Sequence, residues 1–588
     1  MKNRNETRRR FIAHFTSIGL GSTLVPGILW ARMQETNAQR INVAMVKESL
    51  NLAGVKMPES DMETMVTAAN NSLRNYEELH KLHIPNDISP PFHFNPIVPG
   101  IEVNRTRQPF RMSSISAVKP PAKLEDVAFW PVRHLAELIK SKQVSSVELT
   151  QMYLDRLHRY NGKLNNTVTF LDEIGLAQAK QADAEIAKGR YKGALHGIPW
   201  GAKDIISVKG YPTQWGSGAY KGQVLDYDAS VVEMLRDAGA VLIAKLSTGE
   251  LAGGDNWFGG QTKSPWDPAQ GSSGSSAGPG SATGAGCVGF SIGTETSGSI
   301  LGPSARNGLA GLRPTFGRIS RYGVMALSWT QDRLGPMCRY AEDCALVMQA
   351  IAKPDNRDMS VMDIPFNWNA QLDVKKLRVG YIKESFDDLT NPVVKQNAQK
   401  LLDTLSSLGV SKFIPLTIPV WPYEVQAHGV ESATFFDELV RSGRIAQMTS
   451  ATRGNQMKTN RVTPAVEYLQ SQRARMMMMM KLQEATAGVD VYLVASAGGG
   501  GGGGARGAAP AGGPPPPPQT AAQRHSGFAN YACYPALNVM NGLNEAGMPT
   551  NVTFFARPFG DSELLALGKA YQDAAGFHMK LRPTKLDS

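Results

Sequence analysis

The chain has 588 residues, of which 42% are hydrophobic and 19% charged, and its formal net charge is +11. This composition is typical of a folded soluble protein with more than one small core, and it excludes a largely disordered chain and an integral membrane protein. Four cysteines are too few for a disulfide framework and have no metal-binding spacing, so we expect neither a metal nor another cofactor.

The basic N-terminus indicates an export signal. Residues 1–40 carry seven lysines or arginines against two acidic residues, and Thr7–Ile12, TRRRFI, has a twin-arginine pattern. The mildly apolar stretch Phe11–Trp30 that follows is too short and interrupted for a transmembrane helix. We predict a twin-arginine-type signal over residues 1–38, read by the twin-arginine export machinery, and a periplasmic protein that is membrane-tethered if the signal is not cleaved. A chance arginine cluster is the alternative.

The positive charge outside residues 1–40 is spread thinly over the rest of the chain, so nucleic-acid binding is not expected.

Residues 39–119 are predicted to form a helical N-terminal extension and a proline-rich linker. Within them, Ile41–Leu82 reads as two or three helices, and Ser89–Lys119 is studded with proline. The next helix is marked by Ser145 and Glu148, whose spacing predicts a capping box. An apolar stripe that we expect to face the core follows it, at Leu149, Met152, Tyr153 and Leu157.

Helical and strand patterns then alternate along the chain. Val231–Leu235 reads as a helix and leads into the strand-like Val241–Lys245. Leu377–Ile382 reads as a strand, and a helix is predicted to start at Asn391-Pro392. This alternation favours an α/β domain with helices flanking a sheet.

The segment Gly271–Pro303 carries the strongest functional signal. It combines many glycines and serines with the alternating apolar residues Val288, Phe290 and Ile292, and then turns at Gly293–Ser299. Such a turn suits an oxyanion, a phosphate or a nucleophilic serine. A phosphate loop requires a lysine that is missing here, and a flexible linker would not carry an apolar run. Acyl transfer by a serine is the best interpretation.

Lysine is the candidate base, because no histidine lies in this segment. Lysine replaces histidine in some serine hydrolases. In the segment Leu195–Ile206, LHGIPWGAKDII, Lys203 has small and apolar neighbours. Burial lowers the pKa of a lysine amine and makes it a usable base.

Several segments, in this order, resemble the amidase signature family. LHGIPWGAKD is similar to the lysine motif of the family, and SPWD, Ser264–Asp267, to its tryptophan-aspartate motif. The serine-glycine signature matches Gly271–Pro303, and further likeness continues through residues 308–323, 332–345 and 547–583. The resemblance spans about residues 120–588 and implies an α/β fold with a single large mixed β-sheet flanked by helices.

The resemblance also implies the site. Ser299 matches the family's nucleophile and Lys203 its base, while the bridging serine, 24 positions before the nucleophile, matches Ser275. The family's bridging serine follows a cis peptide bond, which here is Gly274–Ser275. The backbone N–H groups expected to form the oxyanion hole are those of Thr296, Ser297, Gly298 and Ser299.

Two residues near the predicted nucleophile bear on how it is held. The family usually has arginine where this chain has Leu301, whereas Glu295 keeps the acidic residue expected four places before the nucleophile.

Two low-complexity segments lie further along the chain. The insertion 497–518 is expected to be a disordered surface loop near the entrance of the site, and Met476–Met480 is expected to be a run of helical core residues.

The predicted function is hydrolysis of a carboxylic amide at a C–N bond other than a peptide bond, through a serine acyl-enzyme. The substrate is expected to be a small-molecule or peptide-like amide, and the substrate-binding residues are unknown. The alternatives are an amidotransferase A-type subunit that releases ammonia from glutamine or asparagine for a partner, and a non-catalytic binding protein on the same fold. A homodimer is left open.

Overall fold

The protein is described here from a computed structural model, over residues 41–82, 107–116, 118–421, 427–496 and 519–586. The predicted export signal, 1–38, and the predicted low-complexity insertion, 497–518, lie outside the described residues. In the described part of the chain, no helix is both long enough and apolar enough to cross a membrane.

One mixed sheet of eleven strands forms the centre of the molecule, in the order β1-β3-β2-β8-β10-β9-β14-β15-β13-β11-β12. Two small hairpins add β4 to β7. The strands, in chain order, are β1 Thr167–Phe170, β2 Pro199–Lys203, β3 Val241–Leu246, β4 Asn256–Trp257, β5 Gly260–Gln261, β6 Lys263–Ser264, β7 Asp267–Gly271, β8 Phe290–Glu295, β9 Ala310–Arg313, β10 Arg333–Cys338, β11 Val379–Ile382, β12 Phe413–Leu416, β13 Val491–Ala495, β14 Ala536–Leu543 and β15 Pro549–Ala556.

Helices flank this sheet and account for the helical patterns of the sequence. They are α1 Val43–Leu52, α2 Glu59–His80, α3 Val132–Lys140, α4 Ser146–Leu164, α5 Asp172–Ala187, α6 Ser230–Asp237, α7 Ala277–Gly284, α8 Leu301–Asn307, α9 Ala341–Ile351, α10 Lys383–Asp387, α11 Pro392–Ser407, α12 Ala427–Phe435, α13 Asp437–Arg441, α14 Ala451–Asn460, α15 Ala465–Thr486, α16 Ala521–Tyr531, α17 Asp561–Ala575 and α18 Phe577–Lys580.

The sheet is mixed because it contains both parallel and antiparallel strand pairs. β2 pairs in parallel with β3 and β8, whereas β8 pairs antiparallel with β10. Strands β2, β3 and β8 are buried along their whole length, as expected for strands covered on both faces. The predicted α/β class with one large mixed sheet is confirmed.

Local sequence signals placed several helices correctly. Ser145 and Glu148 form the predicted capping box at the start of α4, and the apolar stripe of that helix is buried. Asn391 caps α11, its side chain accepting a hydrogen bond from the Val394 backbone N–H. One boundary was wrong, because β8 runs on to Glu295, past the turn that Gly293 was expected to start. Pairing with β10 extends this strand as far as Glu295.

The N-terminal extension forms a helical pair that packs against the main domain. Apolar residues of α1 and α2, among them Leu50 and Met65, share one buried cluster with Ile205, Met325 and Leu327. The Lys458 amine pairs with Asp61 of α2 and adds a polar tie to α14. The extension therefore backs a region that begins two residues after Lys203.

Truncating Met65 tests whether α2 is an integral part of the folded domain. Met65 is 0% exposed, so we expect Met65→Ala to lower the free energy of unfolding by about 2–5 kcal/mol through lost apolar contacts and a residual cavity. Met480, which the sequence placed in a run of core residues, is instead 52% exposed on α15. It supplies the matched control, because Met480→Ala removes the same atoms from a solvated position. Thermal unfolding of both variants measures the difference; equal midpoints would mean that α2 adds nothing to the core.

Candidate active site

Lys203 is the last residue of β2 and lies beside the end of the parallel strand β8. The register pairs Ala202 with Ile292, so the carboxyl ends of both strands meet at one edge of the sheet. The Lys203 amine nitrogen lies 2.8 Å from Ser275 Oγ and 2.8 Å from Thr294 Oγ1, and 3.5 Å from the Thr294 carbonyl oxygen. The predicted base and the predicted bridging serine are thus in direct contact.

Burial sets the protonation of this lysine. Lys203 is 0% exposed, and the loss of hydration lowers the pKa of its amine to about 7. The carboxylates of Asp332 and Glu295 oppose this effect and prevent a larger fall in the pKa. A substantial fraction of the amine is therefore neutral near neutral pH, which a general base requires.

Ser275 is held by a cis peptide bond and by the start of α7. The structure places that cis bond at Gly274–Ser275, as expected. Gly274 is required there, because a Cβ atom on it would lie 1.7 Å from the Gly254 carbonyl oxygen. The neighbouring Ser276 accepts a hydrogen bond from the Thr294 backbone N–H at 3.1 Å and thereby ties α7 to β8.

Ser299 lies in the turn between β8 and α8. The Ser276 backbone N–H donates to its carbonyl oxygen at 3.1 Å, so the two serine segments run side by side. Ser299 is partly exposed, whereas Ser275 and Lys203 are buried. Among the described residues, hydrogen bonds lead from Lys203 to Ser275 but do not reach the Ser299 hydroxyl. Catalytic hydrogen bonds of a free enzyme often tighten only when substrate binds.

The turn that precedes Ser299 presents backbone N–H groups. Glu295 accepts hydrogen bonds from the Ile300 and Leu301 N–H groups, at 2.8 and 3.0 Å, and so fixes the backbone beyond the serine. The described hydrogen bonds leave the N–H groups of Thr296, Gly298 and Ser299 without an acceptor. Three of the four predicted oxyanion donors therefore have no acceptor among the described hydrogen bonds; the fourth, Ser297, belongs to the same turn.

Arg313 supplies the positive charge that Leu301 lacks, and no local sequence pattern pointed to it. Its guanidinium nitrogen lies 2.8 Å from Glu295 Oε1, and both side chains are 0% exposed. Burial alone would raise the pKa of Glu295, but the charges of Arg313 and Arg333, together with the hydrogen bonds from Arg313 and the Leu301 N–H, outweigh burial and hold the pKa below its ordinary value. The carboxylate thus stays ionised and keeps its hold on the turn.

Loss of this ion pair should impair both stability and turnover. We expect Arg313→Leu to cost about 3–5 kcal/mol of unfolding free energy, since it leaves a buried carboxylate uncompensated, and to lower kcat through disorder of the turn. Leu301→Arg added to Arg313→Leu should restore part of kcat, because the cation returns next to Glu295. Arg318→Leu is the control, as it breaks another buried pair, with Asp561 at 3.1 Å, and should lose stability alone. An Arg313 variant with unchanged kcat would contradict this role.

Thr294 and Asp332 also position the site and were not singled out from the sequence. Asp332 accepts a hydrogen bond from the Thr296 hydroxyl at 2.6 Å and from the backbone N–H groups of Leu327 and Ser328, so it anchors the oxyanion turn to a neighbouring loop. The signal for Thr294 was a polar residue at the end of an apolar strand. Asp332 was missed because its link to the turn, through Thr296, spans 36 residues of sequence, although its two backbone donors lie only four and five residues away.

Comparison with known proteins agrees with this architecture. The family model "Amidase" matches residues 148–565. The A-type subunit of the glutamyl-tRNA(Gln) amidotransferase of Geobacter metallireducens is 31% identical over 479 residues, which cover 76% of this chain and 97% of that protein. The corresponding protein of Coxiella burnetii is 38% identical over 306 residues, 51% of this chain, and here the match spans only 63% of the relative.

A solved structure shows the same fold. The native peptide amidase of Stenotrophomonas maltophilia is 26% identical, with a TM-score of 0.65, and the alignment covers 79% of this chain and 100% of the peptide amidase. The family model covers well over half of the chain, and the observed sheet order and flanking helices accompany it. The chain therefore belongs to the amidase family.

Proposed function

We propose that the protein is an amide hydrolase that cleaves a carboxylic amide through an acyl-enzyme on Ser299. The observation that carries this proposal is the contact of 2.8 Å between the buried Lys203 amine and Ser275 Oγ, combined with a pKa of about 7 for that amine. A neutral amine has two N–H bonds and one lone pair. The two oxygens of Thr294 are placed to accept the N–H groups, and the lone pair is then left for the Ser275 hydroxyl proton.

The proposed reaction begins with proton transfer. Lys203 takes the proton of Ser275, Ser275 takes that of Ser299, and the Ser299 oxygen attacks the amide carbon. The carbonyl oxygen becomes an anion that the open N–H groups of the turn stabilise, each such donor being worth about 2.7–4 kcal/mol. Protons then return through the same relay to the departing amine, and water hydrolyses the acyl-enzyme ester.

The proposed substrates are amides whose C–N bond is not a peptide bond. An amine base in a buried relay and a turn of N–H groups suit any carboxylic amide whose carbonyl can reach the partly exposed Ser299.

The Coxiella and Geobacter relatives are named as amidotransferase subunits, which favours release of ammonia for a partner as the second candidate function. A non-catalytic binding role would not need the lysine and both serines.

Ammonia release by the isolated chain separates these candidates. We expect the purified protein to release ammonia from simple primary amides without any partner, and Ser299→Ala to release none. Activity that appears only after partner proteins and charged tRNA are added would instead support the amidotransferase role. Wild type and Ser299→Ala with identical rates under every condition would overturn catalysis at this site.

We also propose that the basic N-terminus directs export through the twin-arginine machinery to the periplasm. The support is the TRRRFI pattern with the apolar stretch behind it. Arg8→Lys together with Arg9→Lys should move the protein from the periplasmic to the cytoplasmic fraction of a bacterial host. An unchanged distribution would contradict the proposal.

A further inference from the structure

A cavity of about 250 Å³ opens beside the relay and the oxyanion turn. Two of its lining residues belong to the site: Thr294, which contacts the Lys203 amine, and Thr296, the first residue of the turn. A carbonyl group bound at this turn would therefore direct one of its substituents into the cavity. The cavity is thus placed to select substrates, provided that the site hydrolyses amides as proposed above.

The walls of the cavity are mainly apolar. Ile205, Met325 and Leu327 form one side and are buried in the cluster that α1 and α2 support from behind. Trp329 and Phe435 form an aromatic pair, with ring centroids 6.1 Å apart and planes inclined by 62°. Trp329 is 44% exposed, so its ring stands at the mouth, where an apolar ligand would cover it.

The charged side chains that line the cavity are all engaged with other groups. Arg321 Nε lies 3.0 Å from Asp358, and this pairing, together with the Ser360 hydroxyl, lowers the pKa of Asp358 to about 2 although burial opposes the fall. Arg357 is paired with Glu233 and stacks over the ring of Tyr322 at 4.3 Å.

Asp332, the carboxylate at the inner end, already accepts three hydrogen bonds. A charged ligand group in the cavity would find no unengaged partner among these side chains. It would therefore lose hydration without compensation.

The size of the cavity also limits which substrates it can accept. An apolar cavity of about 150 Å³ accommodates benzene, so about 250 Å³ has room for one six-membered ring with a short substituent. We propose that the preferred substrates are uncharged amides that carry a single apolar ring, bound in this cavity with Trp329 and Phe435 as the specificity-determining side chains. Glutamine and asparagine, which carry two charges beside the amide, are disfavoured by the same features.

The test compares four amides on the wild-type protein: acetamide, benzamide, acetanilide and glutamine. We expect kcat/KM for at least one ring-bearing amide to exceed that for acetamide by roughly 30-fold, the effect of burying a ring. If benzamide is the better substrate, the acyl side of the amide occupies the cavity. If acetanilide is the better substrate, the amine side occupies it. Glutamine equal to or better than both ring-bearing amides would overturn the proposal.

Variants locate the selectivity. Trp329→Ala and Phe435→Ala should each lower kcat/KM for the ring-bearing amide more than for acetamide, mainly through KM, and thermal unfolding checks that both variants fold. Tyr227→Ala is the matched control, because Tyr227 is similarly exposed, at 41%, and does not line the cavity. A ring preference that survives in both Trp329 and Phe435 variants would contradict the assignment of the cavity.

Binding provides a readout that does not depend on turnover. Titration of Ser299→Ala with benzamide and acetanilide by calorimetry should show binding of at least one that Trp329→Ala, added to the same background, weakens about tenfold or more. Absence of binding of both would overturn the cavity proposal even if acetamide is hydrolysed. Ring binding without hydrolysis of any amide by wild type would instead refute the proposed function and leave the cavity assigned.

Discussion

Replacing Lys203 with methionine is expected to abolish amide hydrolysis and to make the folded protein more stable. Burial lowers the pKa of the Lys203 amine from 10.5 to about 7, which corresponds to roughly 5 kcal/mol of unfavourable free energy at and below pH 7. Methionine fills similar space without a charge. We expect Lys203→Met to raise the free energy of unfolding by about 1–4 kcal/mol at pH 6, after the lost hydrogen bonds are counted.

The gain in stability should depend on pH in a defined direction. Unfolding returns the lysine to water, where it holds a proton up to about pH 10.5, so between pH 7 and pH 10.5 the unfolded chain binds more protons than the folded one. Wild-type stability therefore rises with pH over this interval. The difference in unfolding free energy between Lys203→Met and wild type should be largest below pH 7 and should shrink as the pH approaches 10.5.

Lys245 provides the matched control on the neighbouring strand. It is also 0% exposed, but its amine lies 2.8 Å from Asp204. Lys245→Met leaves that carboxylate buried and unpaired and should lose about 3–5 kcal/mol of unfolding free energy. Thermal unfolding of both variants at pH 6 and pH 9 measures whether the two substitutions change stability in opposite directions. A Lys203 variant that is destabilised as much as the Lys245 variant would mean that Lys203 is a structural cation.

Ser299→Ala and Ser275→Ala should both reduce turnover, by different amounts and at different steps. Without the nucleophile no acyl-enzyme forms, so we expect kcat for Ser299→Ala to fall by about 10⁴–10⁶-fold. Ser275→Ala removes the bridging hydroxyl and keeps the nucleophile. A water between Lys203 and Ser299 then leaves partial activity, about 10²–10⁴-fold below wild type, as expected for loss of positioned proton transfer.

Mass spectrometry distinguishes the two serines directly. An activated ester substrate should leave its acyl group on Ser299 in wild type and in Ser275→Ala, and on neither serine in Ser299→Ala. Ser281→Ala is the control, because its buried hydroxyl, which donates to the Lys263 carbonyl oxygen, lies in the same helix α7 and has no proposed part in the reaction. Acylation of Ser275 in any of these proteins would mean that Ser275 is the nucleophile and Ser299 the bridging serine.

The residues that the sequence could predict are those with local patterns. The capping box at Ser145 and the Asn391 cap depend on neighbours three residues away, and the structure contains both. Lys203 was a candidate base from its small and apolar neighbours, whereas Ser275 was identified through a family resemblance; the structure brings their side chains into contact.

The residues that the sequence did not reveal act across long separations. Arg313 reaches Glu295 only because β9 and β8 both pair with β10. The support that α1 and α2 give to the cavity wall depends on tertiary packing of residues that are far apart along the chain. Such pairings follow from strand order, which the amino-acid pattern alone did not determine.

The pH dependence of kcat/KM tests the neutral lysine most directly, measured with an uncharged amide from pH 5 to pH 9. Because only unprotonated Lys203 can accept the Ser275 proton, the rate should rise with pH, with a midpoint at about 7. Asp332→Asn should lower that midpoint, since the Asp332 carboxylate raises the pKa of the amine. A rate that is flat from pH 5 to pH 9, or that falls as pH rises through 7, would contradict a buried neutral lysine as the base.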